Sequence, residues 1–264
     1  MTISTIMGNK LLTLIKKVLF PLVFFLVLYW LAAALVKNPL ILPEPPAIVE
    51  ALLSLLLTAD YWIALLMTLL RVLLGLFLGT AVGALLGASL FLVPGIGSLV
   101  RPLLTVIRAT PVASFVVLAW SFTGSHLLPV LIATLMVIPI VADALARGLS
   151  SQDTGLLEVA ELYCLSPWRR FCVLRFPAAL PHFLGAVSSS MGFAWKAGIA
   201  AEVLVATARS IGKEVYYAKL YLETPALWAY TLTIVAVSLL LEFLVKKTLL
   251  LKGRREEHAV LRAS

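Results

Sequence analysis

The amino-acid sequence predicts an all-α integral membrane protein with six transmembrane helices and both termini in the cytoplasm. Three observations carry that prediction. Of the 264 residues, 62% are apolar and only 13% are charged, against roughly 45–50% apolar in an ordinary soluble domain. So few polar side chains cannot cover that much apolar surface in water, which disfavours a water-soluble enzyme, a disordered chain and a nucleic-acid binder alike. Uncharged runs long enough to cross a hydrocarbon core of about 30 Å recur along the chain. The basic residues responsible for the net charge of +8 then gather on one side of those runs.

Residues 18–36 carry no charge and follow Lys10, Lys16 and Lys17, so an N-terminal anchor over about 11–36 starts in the cytoplasm. A secretory signal is the alternative, because Ala32-Ala33-Ala34 resembles a cleavage site, but the apolar run exceeds the usual length of about 7–15 residues. Asn38 to Pro46 contains Pro39, Pro43, Pro45 and Pro46 and is read as a surface connection, since prolines lack donors and stiffen the chain. A second pass runs from about 63 to 93. Its Gly75, Gly79, Gly83 and Gly87 recur every four residues and line one slowly drifting face that a neighbouring backbone can approach closely. Pro94-Gly95-Ile96-Gly97 ends it.

Pro102 to Arg147 leaves room for a third and a fourth pass joined by a tight external turn at Ser121 to Ser125. A fifth pass begins near Pro177 or Pro181 and reaches about Val205; a sixth covers about 224–245 and leaves a tail from Lys246. The chain is one membrane domain over 1–264, with its core at about 60–250. With six passes starting inside, fifteen Lys and Arg residues fall on the cytoplasmic side and only Lys37, Arg209, Lys213 and Lys219 outside, the bias that sets orientation. Cys164 and Cys172 are the only cysteines; their spacing fits neither a CxxC redox nor a zinc motif, and they are read as free thiols.

The cytoplasmic loop at about 148–176 carries the most information. Asp153 or Thr154 can cap a helix in which Leu156, Val159, Ala160, Tyr163 and Cys164 fall on one apolar face. Glu158 and Glu161 lie off that face, and Ser166-Pro167 is expected to close the helix. Such a short amphipathic helix suits docking into a groove on a cytoplasmic partner; a helix lying on the inner membrane surface is the alternative.

This loop resembles the "EAA" loop of permease subunits of ATP-binding-cassette importers. The matching residues are Glu158-Val159-Ala160, then Cys164 after three residues, then Leu174 and Phe176-Pro177 after nine more. Val159 replaces an alanine and Cys164 a glycine. If that glycine needs positive φ, cysteine is a poor substitute and the turn is expected to shift to Ser166-Pro167. Leu42-Pro43-Glu44-Pro45, Thr68 to Gly75, Pro177 to Pro181 and Ala201-Glu202 extend the likeness to the nitrate, sulfonate and taurine branch, which includes relatives for pyrimidine precursors of thiamine. The resemblance implies the permease fold of type I importers (MetI-like) and a place in the bacterial inner membrane. It implies a second permease copy, two ATPase subunits, an external solute-binding protein and a small solute, an anion of the sulfonate type or a heterocycle. Leu156, Glu158, Val159, Ala160, Tyr163, Cys164 and Pro177 become the ATPase-coupling residues. No G-x-x-x-x-G-K-[ST] run is present to cradle phosphates, so ATP and Mg are expected in the partner, and no metal or cofactor on this chain.

Ionisable residues inside a membrane are candidate sites. Lys196 either attracts an anion into a translocation path or snorkels beside Trp195. Ser189, within Ser188-Ser189-Ser190, either lines that path or lets helices pack closely; Glu202 is the third path candidate. Glu242 precedes Lys246 by four residues, the favourable order for a helical ion pair. Arg108 and Asp143 lie at depths differing by only about 3 Å on either side of the third-to-fourth turn and are expected to pair, the alternatives being a snorkelling Arg108 and an Asp143–Arg147 pair. Residues 207–223 are read as an external surface helix that receives the binding protein. The rival class, a secondary transporter without an ATPase, would favour two-fold internal repeats, and none is visible.

Overall fold

The computed structural model describes residues 20–151 and 154–263; the side chains of Leu22, Thr154, Lys246 and residues 248–263 are outside that description. Lys10, Lys16, Lys17 and Asp153 therefore also lie outside the described residues. The order of elements is all helical. Helix α1 is Phe20–Val36 and α2 is Pro45–Leu56, which starts on its own prolines, the position where a missing donor matters least. Then come α3 (Ala59–Leu92), α4 (Gly97–Ala109), α5 (Val112–Ser150), α6 (Thr154–Leu162), α7 (Pro167–Arg170), a π-helical turn (Phe171–Arg175), α8 (Phe176–Val205), α9 (Ile211–Leu220) and α10 (Thr224–Ala263).

Among the described residues four helices are long and apolar enough to cross a membrane: Ala59–Leu92, Val112–Ser150, Pro167–Val205 and Thr224–Val245. The difference from six lies in two places. The apolar part of α1 is the shorter Val23–Val36. The expected third pass is broken: Thr110, with ψ 127°, is forced extended by Pro111, and separates α4, which carries Arg101 and Arg108, from α5. Within α5, Gly124 adopts φ 69° and ψ 168°, a region essentially reserved for glycine. The chain folds back there, at the turn expected from the sequence. Val116 of the first arm joins Leu128 and Ile132 of the second and Ala197, Ala201 and Val205 of α8 in one cluster.

The centre of the bundle is α3 against the second arm of α5, with α8 closing the third side. A Cβ built on Gly79 would lie 2.6 Å from Val137 Cβ and 2.8 Å from Thr134 O; one on Gly87 would lie 2.6 Å from Ala142 O. Gly75 and Gly83 are equally tight, against Val130 O and Ile138 O. In lipid the hydrophobic effect gives helices no reason to associate, so van der Waals contact at this spacing is what joins them. Val72, Leu76, Val137, Val141, Met191, Ala194 and Trp195 form the adjoining core, and Trp195 Nε1 donates to Ile234 O at 3.1 Å, bringing α10 alongside. α10 also holds the N-terminal hairpin: Tyr29 packs edge-on against Trp228 and Thr224 Oγ1 donates to Leu40 O at 2.9 Å.

Replacing Gly79 with valine should force α3 and α5 apart and destabilise the protein by about 1–3 kcal/mol. Gly185→Ala, where a new Cβ meets nothing within 4 Å, should be silent. Thermal melts of the two purified variants in detergent check the contrast.

Candidate functional site

Three constellations can do work, one on the flank of the bundle and one at each end. On the flank, α8 and α10 enclose a groove of about 380 Å3 lined by Gly185, Ser188, Ser189, Gly192, Lys196, Ser238 and Glu242 among others. Glycines and serines on successive turns of α8 keep it open. Ser189 Oγ donates back to Gly185 O at 3.1 Å and Ala186 O at 3.0 Å, so its proton is engaged within the helix while its lone pairs remain available. Lys196 is exposed in the wall of the groove, and Glu242 of α10 lines it too. The Lys246 side chain is outside the described residues, so the expected Glu242–Lys246 pair is too.

Glu202 does not line that groove. It is fully buried at the end of α8, one to two turns beyond Lys196, and faces α3 and α9. Arg71 Nη1 lies 3.3 Å from Glu202 Oε1, Thr68 Oγ1 donates to Oε2 at 2.8 Å and the Gly212 amide approaches Oε2 at 3.4 Å. Thr68 Oγ1 in turn accepts from the Ile211 amide at 3.0 Å, while Arg71 donates to Ala208 O and Arg209 O. The connecting segment is bent through left-handed Ala206 (φ 47°) and Arg209 (φ 52°) and is pinned by Thr207 Oγ1 donating to Ser125 O at 3.0 Å. A buried carboxylate needs this many partners to offset its desolvation. A path role for Glu202 therefore gives way to a lock joining α3, α5, α8 and α9. Arg71, which no motif in the sequence singles out, is thus the partner that Glu202 finds across the bundle.

Beyond the lock, α9 occupies the segment expected as a surface helix. Ser210 caps it, its Oγ accepting from the Lys213 amide at 3.0 Å. Ile211 and Ala218 turn inward onto Tyr61 and Tyr230, while Tyr216, Leu220, Tyr221 and Leu222 are exposed and Lys213 stands 5.3 Å from the Tyr217 ring centre.

At the opposite end of the bundle, α6 projects between α5 and α8. Its exposed apolar residues are Leu156, Val159, Leu162 and Tyr163, whereas Ala160 is buried and Glu158 is exposed. The face thus differs from the expected stripe: Ala160 anchors the helix and Leu162 joins the free side. The turn stays at Cys164, which adopts φ 51°. Leu165 N donates to Ala160 O and Cys164 N to Glu161 O, the paired bonds of a Schellman cap. Cysteine thus takes the left-handed conformation that glycine takes more cheaply, and the turn does not shift. Ser166-Pro167 does not close α6; it opens α7, with Ser166 Oγ accepting from the Arg169 amide and Pro167 at the first position. Glu161 is tied across the turn to Arg170 at 3.1 Å, and Pro177 sits in the first turn of α8. Near this end Arg108 and Asp143 are in contact; Arg108 also donates to Pro139 O at 3.0 Å, and Arg147 lies 4.0 Å from the same carboxylate.

Membrane-length helices, a polar-lined groove on their flank and a capped helix projecting between two of them define, by class, a multi-pass solute-transport permease. Residues 79–247 match the family described as the binding-protein-dependent transport system inner membrane component, and the chain belongs to that family, the permeases of ABC importers. The taurine transport system permease protein TauC of Escherichia coli (strain K12) is 28% identical over 229 residues, 84% of this chain and 82% of that protein. Two solved structures share the fold at 18% identity. Inward-facing MetNI methionine ABC transporter superimposes with a TM-score of 0.58 over 69% of this chain and 91% of that one. An amino acid ABC transporter with histidines gives 0.61 over 78% and 94%.

Removing both partners of the lock should destabilise less than the two single removals added together. Glu202→Gln and Arg71→Gln are each expected to lose about 3–5 kcal/mol, and the double variant to recover part of that sum. Purely additive losses in detergent melts would contradict a coupled pair.

Proposed function

We propose that this chain is the membrane subunit of an ATP-driven importer of the bacterial inner membrane, crossing six times with both termini cytoplasmic. It pairs with a second copy, two ATPase subunits dock beneath the pair, and an external binding protein delivers a small sulfonate-type anion. The observation that carries the reading is the exposed Leu156, Val159, Leu162 and Tyr163 face of α6, on a helix held by Ala160, a Schellman turn and the Glu161–Arg170 pair. Apolar residues kept in contact with water on a rigidly capped element suit insertion into a partner's groove.

The mechanism follows from continuity. From Pro167 through the π-helical turn to Val205 the chain is helical without a break, so a push on α6 by the ATPase is applied to the base of α8. That helix carries the groove residues Ser188, Ser189 and Lys196 and ends in the Glu202 lock, which holds α9. A displacement at the base thereby alters groove and external surface together, and the exposed tyrosines of α9 offer the binding protein its contact. Hydrolysis of ATP, with its Mg, takes place in the partner.

The solute reading rests on Lys196 among serines in the groove and on the likeness to TauC. Lys196, the cation of a groove that Glu242 also lines, attracts an anion to its own part of the wall, and serine hydroxyls offer that anion hydrogen bonds without holding it tightly. A thiamine-precursor pyrimidine would not need the charge.

Val159→Lys should break docking, because a charge placed in an apolar contact is expected to weaken it at least about tenfold. Transport in proteoliposomes should fall accordingly while the protein still inserts and melts normally; unchanged transport would remove the docking assignment. Lys196→Gln should lower uptake of a sulfonate such as taurine by about tenfold, with stimulation of ATP hydrolysis by the loaded binding protein retained. Equal uptake by both proteins would make Lys196 a snorkelling residue.

A further inference from the structure

We propose that a recess beside the base of α8 is a binding site for the headgroup of an anionic glycerophospholipid of the inner leaflet. It has a volume of about 480 Å3 and lies between the last turn of α3 and the segment leading into α8, lined by Phe91, Leu92, Pro167, Trp168, Arg170, Phe171 and Arg175. Its walls are aromatic: Trp168 stacks on Phe171 with centroids 6.0 Å apart, and Phe171 leans on Phe176. The π-helical turn at Phe171–Arg175 brings these rings and both arginines to the same recess.

Arg175 is the key group. Its guanidinium lies 4.8 Å from the centre of the Phe91 ring, which orients it by cation–π attraction. Among the described residues, no carboxylate lies within ion-pair distance of it. Arg170 is held in place by Glu161 and the Leu165 carbonyl, and with five donors per guanidinium it keeps others for a second acceptor. Exposed Arg169 and Arg101 add positive charge nearby, Arg101 in an adjoining recess that shares Phe91. Two lining residues are arginines and none is acidic, so a headgroup with net negative charge, whose phosphodiester meets planar guanidinium forks, is favoured over a zwitterionic one whose ammonium has only the aromatic walls to meet.

The apolar part of the site excludes a soluble phosphate. Leu92 in the wall and Phe176, which leans on Phe171, are exposed and offer an acyl chain a surface that a free anion would leave wet. Tryptophan beside arginine at the end of membrane-length helices is the composition of a bilayer boundary, and basic recesses there select anionic lipids. The site rests on the cytoplasmic orientation proposed above.

The test uses the full-length protein with its co-purifying subunits, taken from nanodiscs containing equal phosphatidylglycerol and phosphatidylcholine, and counts retained lipid by native mass spectrometry. Wild type should retain phosphatidylglycerol about fivefold over phosphatidylcholine, the selectivity one arginine near a bilayer surface supplies. Arg175→Gln and Trp168→Ala should each abolish the preference, the latter at an exposed position that tolerates truncation, while Lys247→Gln at the base of α10 leaves it intact. No preference in the wild type, or a preference indifferent to both variants, would overturn the site. So would displacement of the lipid by millimolar inorganic phosphate, which would mark a soluble-anion site, or by docking of the ATPase, which would mark a protein interface. Labelling of Cys172 by a membrane-impermeant maleimide in inverted vesicles reads the orientation separately.

Discussion

The backbone contact between α3 and the second arm of α5 is the constraint on which the rest of the bundle depends. Four glycines spaced by four residues bring α3 so near that main-chain oxygens of Val130, Thr134, Ile138 and Ala142 occupy the space where side chains would stand. Lipid solvates leucine as well as another leucine does, so two helices associate there only where their surfaces fit better than lipid fits either one. That single fit sets the position of α5, and α5 sets that of α8 through Val137, Val141, Ala194 and Trp195. The groove beside α10 is what remains once those three helices are packed.

Polar interactions then act at the two ends of the bundle. At one end a buried carboxylate, an arginine and a threonine tie together elements far apart in the chain, Arg71 and Glu202 being 131 residues apart. At the other end Arg108 and Asp143 join α4 to α5. An unpaired charge at the buried Glu202 would bear a desolvation penalty of several kcal/mol, whereas the more exposed Arg108 and Asp143 hold their helices together at lower stakes. Between the two ends α8 runs from the turn after the capped helix α6 to the lock and carries the groove residues on the way, which is why docking at its base and delivery at its far end are linked in the proposed cycle.

Much of this was legible in the sequence because a membrane imposes simple periodicities. Length and charge along an apolar run mark a pass, a four-residue glycine repeat marks a face, and equal counts from a turn place two charges at one depth. The pass at about 63–93, the one from Pro177 or Pro181 to about Val205, the turn at Ser121 to Ser125 and the meeting of Arg108 with Asp143 all follow from such counting. Counting along the chain places Glu202 six residues beyond Lys196 and so on another face of the helix, but it does not say which groups stand opposite that face, and those are Thr68, Arg71 and the Gly212 amide.

By itself, then, the sequence determined that this is a bundle of membrane helices with its basic residues segregated, a close-packing glycine face and an amphipathic helix in the longest loop, since these depend on composition and local period. Only the tertiary structure decided that Cys164 takes a left-handed turn, that Ser166-Pro167 opens a helix, that Pro111 splits the expected third pass and that Arg71 belongs to Glu202. The last of those outcomes depends on which groups meet across space, and the first three on which of several local geometries, all compatible with proline or a cap, the surrounding elements select. A carboxylate finds its arginine, and a cysteine accepts an unfavourable φ, because the surrounding contacts outweigh the local preference by a few kcal/mol at most.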